Sequence, residues 1–190
     1  MRVAGSITAG ALDEISNHIK PGISTLELDK IAEKFIIDKG AKPAFLRYSG
    51  FPNSICASID DVVVHGIPKK DIILQEGQII GIDVGAKYQG YCGDAARTFP
   101  VGKISKEKQK LIDVTKESFF EGIKDIKAGS RLGHISNRIQ VHLEKNGYGV
   151  VRELVGHGVG EKLHEDPCVP NYGKYNSGVV LQEGMTLAIE

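Results

Sequence analysis

The segment Leu74-Gln75-Glu76-Gly77-Gln78-Ile79-Ile80-Gly81-Ile82-Asp83 decides the fold, because it returns 107 residues later as Leu181-Gln182-Glu183-Gly184-Met185-Thr186-Leu187-Ala188-Ile189-Glu190. Four identities in a row lead in both copies through a short run to the pairs Ile82-Asp83 and Ile189-Glu190. At the same offset Ile19-Lys20 and Gly22 meet Ile126-Lys127 and Gly129, Gly40 meets Gly147, and Gly66 meets Gly173. Residues 12–83 set against 119–190 share 12 identities in 72 positions. Many of them fall where a helix ends or a turn begins, so backbone geometry dictates the residue type. The pattern implies a duplication within one domain, residues 1–190, of α+β class. Its two pseudo-symmetric halves would each give helices to an outer layer and strands to a shared antiparallel sheet.

Working outward, apolar residues at helical spacing (Ile7, Ala11, Ile15, Ile19) predict a first helix closed by Pro21-Gly22. Ser24-Thr25-Leu26-Glu27 is a capping box opening a second helix, which should run to Lys39 and stop at Gly40. From Asn53 to Phe99 short β-branched runs cut by glycines read as antiparallel strands, among them Ile72 to Leu74, Ile79 to Asp83 and Ala95 to Phe99. Helices return after Gly102, one capped by Ser105 and one from Arg131 to Lys145 ending at Asn146-Gly147. Val150 to Val155 and Met185 to Glu190 read as closing strands, separated by a loop-rich stretch with Pro167, Pro170, Gly173 and Gly178.

Composition narrows the function. At 41% apolar the chain can fill a core, and 24 basic residues balance 24 acidic ones. Zero net charge leaves no basic field to hold a phosphate backbone, which argues against nucleic acid as a substrate. No apolar run approaches the ~20 residues that cross a bilayer. The first residues carry no secretory signal, so the expected compartment is the cytoplasm. Cys56, Cys92 and Cys168 are widely spaced and odd in number, which predicts free thiols, with Cys92 and Cys168 as half-buried small residues.

The repeat sets Asp83 and Glu190 at equivalent strand ends, where a two-fold axis brings carboxylates together. A hairpin over Gly81 to Pro100 that turns around Tyr88-Gln89 pairs residues whose numbers sum to 177, and so sets Asp94 opposite Asp83. Like charges gathered in a sheet are destabilising unless a cation neutralises them, so the pattern predicts a metal. Imidazole from His157 or His164 would move the preference from Mg or Ca toward Mn, Fe, Co or Zn. Both lie in Gly156-His157-Gly158-Val159-Gly160-Glu161-Lys162-Leu163-His164-Glu165-Asp166-Pro167, whose glycine spacing is not that of a dinucleotide loop. His65, at the end of the apolar run Val62-Val63-Val64, needs a polar partner there and is a functional candidate; His18, His134 and His142 read as ordinary.

At these residues the sequence resembles the type I methionine aminopeptidases, of the pita-bread fold shared with prolidase, aminopeptidase P and creatinase. Ser54 to Pro68 resembles the family's His strand, Ile82-Asp83-Val84 through Gly93-Asp94 its Asp pair, Gly156 to Pro167 its G-H-G-I-G-x-x-x-H-E-x-P block, and Met185 to Glu190 its M-T-x-x-I-E strand. The resemblance implies a catalytic domain that removes the initiator methionine from nascent polypeptides, acting as a monomer with possible access to the ribosome. It implies two divalent ions (Co, Mn, Fe or Zn) on Asp83, Asp94, His157 and Glu190. His65 would hydrogen-bond the scissile amide nitrogen and His164 would stabilise the carbonyl oxygen. A small apolar pocket for Met is carried onto Phe45, Tyr48, Phe51, Cys56, His65 and Leu163. Phe45 stands where some bacterial members have Cys, and Leu163 where Phe is frequent. The family continues past its I-E strand through two further strands bearing a fifth, bridging Glu. The expectation is therefore a fold lacking its C-terminal strands, with impaired activity. Two alternatives stand beside it: an X-Pro or dipeptide peptidase of the same fold, and a binding module that has lost catalysis.

Overall fold

In the computed structural model, which describes residues 1–190, Ser24 caps the second helix by both arms of the expected box. Its side chain accepts from the Glu27 N–H (3.2 Å) and the Glu27 carboxylate accepts from the Ser24 N–H (2.9 Å). The helix, α2, spans Thr25–Asp38 and ends before Gly40, whose φ of 74° suits a residue without a side chain. Helix α1 spans Arg2–Ser16 and stops three residues short of Ile19. Pro21 disfavours helical geometry at Lys20, and Asn17 and His18 turn out of the helix instead.

The residues gather into two compact units, Met1–Gln109 with Gly160–Leu163, and Lys110–Val159 with His164–Glu190. The first holds a four-stranded antiparallel sheet. Strand β3 (Ile79–Tyr88) pairs along one edge with β4 (Tyr91–Pro100), and along the other with β2 (Ile55–Ile59) and the short β1 (Lys42–Pro43). Alternation places Ile80, Ile82, Val84 and Ala86 of β3 in one core with Ile7, Leu12 and Ile15 of α1 and Leu28 and Ile36 of α2. Gly81, Asp83, Gly85 and Lys87 therefore take the opposite face. Close approach of α1 needs Gly93 on β4, where a Cβ would come within 2.8 Å of the Ala4 carbonyl carbon.

The hairpin register differs from the expected one by two. Tyr88 faces Tyr91, so the turn is Gln89-Gly90, both at positive φ (47° and 91°), the arrangement of a two-residue turn matched to strand twist. Asp83 then faces Ala96, and Asp94 faces Gly85. The two aspartates are diagonal neighbours on one face rather than a directly opposed pair.

The second unit contains most of α3 (Lys106–Ile123), whose start is capped by the Ser105 hydroxyl accepting from Lys108 N–H (3.2 Å), and all of α4 (Leu132–Lys145). Its three-stranded sheet runs β6 (Glu165–Val169), β5 (Gly156–Gly158), β7 (Leu187–Ala188). Leu132, Ile135 and Ile139 of α4 pack with Val169 and Leu181 in its core.

Several expected strands are absent or short. Val150 to Val155 forms none, and Val151 and Leu154 are exposed, because β-propensity without a neighbouring ladder fixes nothing. Ile72 to Leu74 makes a single bridge, Ile73 to Ser24, and Met185 to Glu190 contracts to β7. Strand β6 was hidden in the sequence by Pro167, which sits inside it.

Local geometry recurs at the 107-residue offset, each copy within its own unit. Gly22 N–H donates to Leu74 O and Gly129 N–H to Leu181 O, both at 2.8 Å. Leu74 N–H donates to Ile23 O and Leu181 N–H to Ser130 O, again both at 2.8 Å. The bridges Ser24–Ile73 and Arg131–Val180 are related by the same shift. No helix is long and apolar enough to cross a membrane.

Candidate functional site

In the first unit the face of β3 that carries Asp83 turns away from the helices. Cys56 of β2 is the direct cross-strand partner of Asp83, and Asp94 joins them diagonally from β4. Phe45 lies over Gly85: a Cβ there would stand 2.7 Å from the Phe45 ring, so this glycine between Asp83 and Lys87 makes room for an aromatic. That role was not visible in the sequence, where Gly85 looks like any strand glycine. Tyr48 and Phe51 belong to the turn that follows Phe45, closed by Tyr48 N–H to Phe45 O (2.9 Å) and Arg47 N–H to Phe51 O (2.8 Å). Phe45, Cys56 and Leu163 are buried, Phe51 is partly buried and Tyr48 is 41% exposed.

His65 is not at the end of a strand. Strand β2 stops at Ile59, Asp60 turns at a φ of 50°, and Val62 to Val64 form an exposed loop instead of extending the ladder. The chain returns at Gly66, whose carbonyl accepts from Ala57 N–H (2.8 Å) and whose N–H donates to the Ser58 hydroxyl (3.2 Å). His65, at a φ of 58°, is thereby exposed on a loop anchored beside the strand that carries Cys56.

The segment Gly160–Leu163 also belongs to this unit. The Gly160 carbonyl accepts from Cys92 N–H (2.7 Å) and the Glu161 carbonyl from Lys87 Nζ (2.9 Å), which fixes the backbone next to Leu163. Contacts this distant in sequence leave no local signal.

In the second unit β5 and the end of the chain bring His157, His164 and Glu190 together. The His157 ring is 8% exposed as a residue, lies 4.2 Å from the His164 ring centre to centre, and sets Nε2 3.1 Å from Glu190 Oε1. Its Nδ1 is 2.8 Å from the Gly158 carbonyl oxygen. A carbonyl only accepts, so Nδ1 carries the proton and, in the neutral ring, Nε2 presents its lone pair. Two acceptors facing each other at 3.1 Å call for a proton or a cation between them. Two donor atoms each about 2.0–2.2 Å from one ion stand roughly 3 Å apart, so this pair fits a shared divalent ion. Carboxylates plus a single imidazole are a donor set for such ions. The other histidines are engaged elsewhere, His18 near Glu14, His142 near Glu117, and His134 stacked on Tyr175 at 4.3 Å.

None of the three cysteines is in a disulfide; Cys56 and Cys92 are buried, whereas Cys168 is exposed on β6 rather than half-buried.

The model of metallopeptidase family M24 matches residues 1–190. The chain belongs to that family. Among relatives of this M24 chain, the Bacillus subtilis protein named methionine aminopeptidase 1 is 54% identical over 190 residues, all of this chain and 76% of the relative. The crystal structure of methionine aminopeptidase from Thermotoga maritima superposes with a TM-score of 0.97 at 45% identity, covering 100% of this chain and 76% of that one. Prolidase from Pyrococcus furiosus shares the fold at a TM-score of 0.84, with 25% identity over 98% of this chain and 53% of its own. Membership makes this M24 chain a hydrolase of the pita-bread fold that depends on divalent metal.

Proposed function

We propose that this protein is a methionine aminopeptidase, removing the amino-terminal Met from nascent polypeptides. The observation that carries the reading is the likeness, over the entire chain, to proteins of that name at 54% identity, against 25% for the prolidase. That difference favours a methionyl substrate over X-Pro dipeptides. The same reading puts the protein in the cytoplasm, as a monomer within reach of the ribosome. It treats residues 1–190 as a single catalytic domain in which 12–83 recurs as 119–190, a reading supported by the hydrogen bonds that repeat at that offset.

Asp83, Asp94, His157 and Glu190 would hold two divalent ions, drawn from Co, Mn, Fe or Zn. When bound, such ions acidify water toward neutral pH and polarise a scissile carbonyl. The chain's own residues supply the rest. The Gly158 carbonyl holds the His157 ring so that Nε2 is the atom presented to a ligand. His65 hydrogen-bonds the scissile amide N–H, and His164 stabilises the carbonyl oxygen as charge builds, an interaction that matters most in the transition state. Phe45, Tyr48, Phe51, Cys56, His65 and Leu163 receive the Met side chain, whose unbranched thioether adapts to an apolar contour.

The test is release of free Met from a Met-Ala-Ser peptide in Mn or Co, with and without chelator. The chain is assayed as it stands, and with the family's two further strands appended. Chelator-sensitive release by either form supports the reading. Two forms that bind metal and release no Met overturn it.

A further inference from the structure

Asp29 is a charged-type side chain set inside the first unit, 4% exposed, that the proposed chemistry does not use. It sits on α2, five residues after Ser24, whose capping box fixes the start of that helix. Both carboxyl oxygens are engaged. One accepts from the backbone N–H of Ser54 (2.8 Å) and of Ile55 (3.1 Å), and the other from the Asn53 amide (2.8 Å). Three donors from three consecutive residues thus converge on one acid carried by a rigid helix.

The held segment has a particular location. It is the second leg of the turn that bears Phe45, Tyr48 and Phe51, and it runs directly into β2, where Cys56 stands opposite Asp83. The first leg is tied to the sheet by Ala44 N–H donating to Gly85 O (2.9 Å). Between the legs, Arg47 and Ser49 are held at φ of 67° and 47°, left-handed values that non-glycine residues adopt at a cost and keep only where the surroundings over-determine them. Sheet bonding supplies that constraint on one leg, and Asp29 supplies it on the other.

We infer that Asp29 is a positioning residue for substrate selection: by anchoring Asn53, Ser54 and Ile55 to α2 it sets the separation of Phe51 and Cys56 across the methionine pocket. The inference rests on the pocket assignment of the proposed function and deepens it. Truncating or inverting this acceptor loosens the pocket without touching a group that contacts metal. Discrimination between an unbranched and a branched side chain is what a pocket of fixed width provides, and a loosened wall erodes it.

The experiment is calorimetric titration of the Mn-loaded chain with L-methionine and, separately, with L-leucine, in wild type, Asp29→Asn and Asn53→Ala. Asp29→Asn removes the charge that strengthens all three bonds and sets an NH2 in place of one of the two acceptor oxygens, while Asn53→Ala removes one bond and leaves both backbone contacts. The wild type should prefer L-methionine. In Asp29→Asn the preference should fall about tenfold, and in Asn53→Ala by about threefold or less, on the scale of what a methylene-sized change in an apolar pocket is worth. Partial unfolding lowers the binding-competent fraction for both ligands alike, so it leaves their ratio unmoved. A wild-type ratio retained in Asp29→Asn overturns the inference while the pocket assignment stands. A wild type that shows no preference overturns the pocket assignment, and the inference falls with it.

Discussion

Nε2 of His157 lies 3.1 Å from Oε1 of Glu190, while Nδ1 of the same ring is committed to the Gly158 carbonyl. The backbone of β5 thereby chooses the tautomer, and Nε2 and the carboxylate are aimed at common ground. Glu190→Gln keeps the shape and removes the charge. We expect it to weaken Mn binding by about 100-fold or more, since even residues that only orient a metal ligand are worth about 10- to 100-fold. Competition against a fluorescent chelator measures this, and affinity within threefold of wild type would show that Glu190 is no ligand.

Gly66 returns the His65 loop to β2. A Cβ at this position would meet the Ala57 carbonyl oxygen at 2.1 Å and its carbon at 2.7 Å. Backbone cannot swing aside as a side chain can, so Gly66→Ala should cost about 2 kcal/mol or more by analogy with overpacked cores. Urea unfolding of the two proteins gives the difference directly, and a midpoint unchanged from wild type would contradict the close approach.

Gly85→Ala meets a softer obstacle. Its Cβ would stand 2.7 Å from the Phe45 ring and 3.0 Å from the Ala44 Cβ. The ring can move, at a cost of about 1 kcal/mol, and Phe45→Ala should relieve most of the clash in a double-mutant cycle with strong non-additivity. Additive effects would mean that the two residues do not touch.

Asp60 supplies a pH signature. Burial raises its carboxyl pKa, but the hydrogen bond from Lys108, the Ile79 amide, the Lys108 charge and the Gln78 side chain more than reverse this, and the group ends below its ordinary value. A lowered folded pKa means that Asp60 contributes stability above the ordinary carboxylate range and loses it as the pH falls through the lowered value. The Asp60–Lys108 pair is about one-third exposed on each side, so solvent screens the effect and it is modest. Stability measured by urea unfolding from pH 7 to pH 3 should fall less steeply in Asp60→Asn than in wild type. Parallel curves would remove Asp60 from the account of acid stability.

Helices were legible because their signals are local. The Ser24–Glu27 box and Gly40 announce the ends of α2, and Asn146-Gly147 marks the end of α4. Strands were less so. Val150 to Val155 has the right residues and no partner, whereas β6 has a partner and contains Pro167, because pairing is decided by tertiary context. The hairpin register slipped by two because Tyr88-Gln89 and Gln89-Gly90 both read as turns, and only Gly90 carries the φ of 91° that the turn demands. An even slip preserves the face, which is why Asp83 and Asp94 remain on one side of the sheet. Of the candidate site, residue types and motif spacing pointed to the acids and histidines. Asp29, Gly85 and the docking of Gly160–Leu163 were invisible, since their roles depend on neighbours 24 or more residues away.

We propose that Asp94 belongs to the divalent-metal centre. Calorimetric titration of the metal-free chain with Mn, wild type beside Asp94→Ala, tests it most directly. Saturable binding is expected in the wild type and none in the variant, with helical content by circular dichroism unchanged. Absence of binding in the wild type, or equal binding in a folded Asp94→Ala, would contradict it.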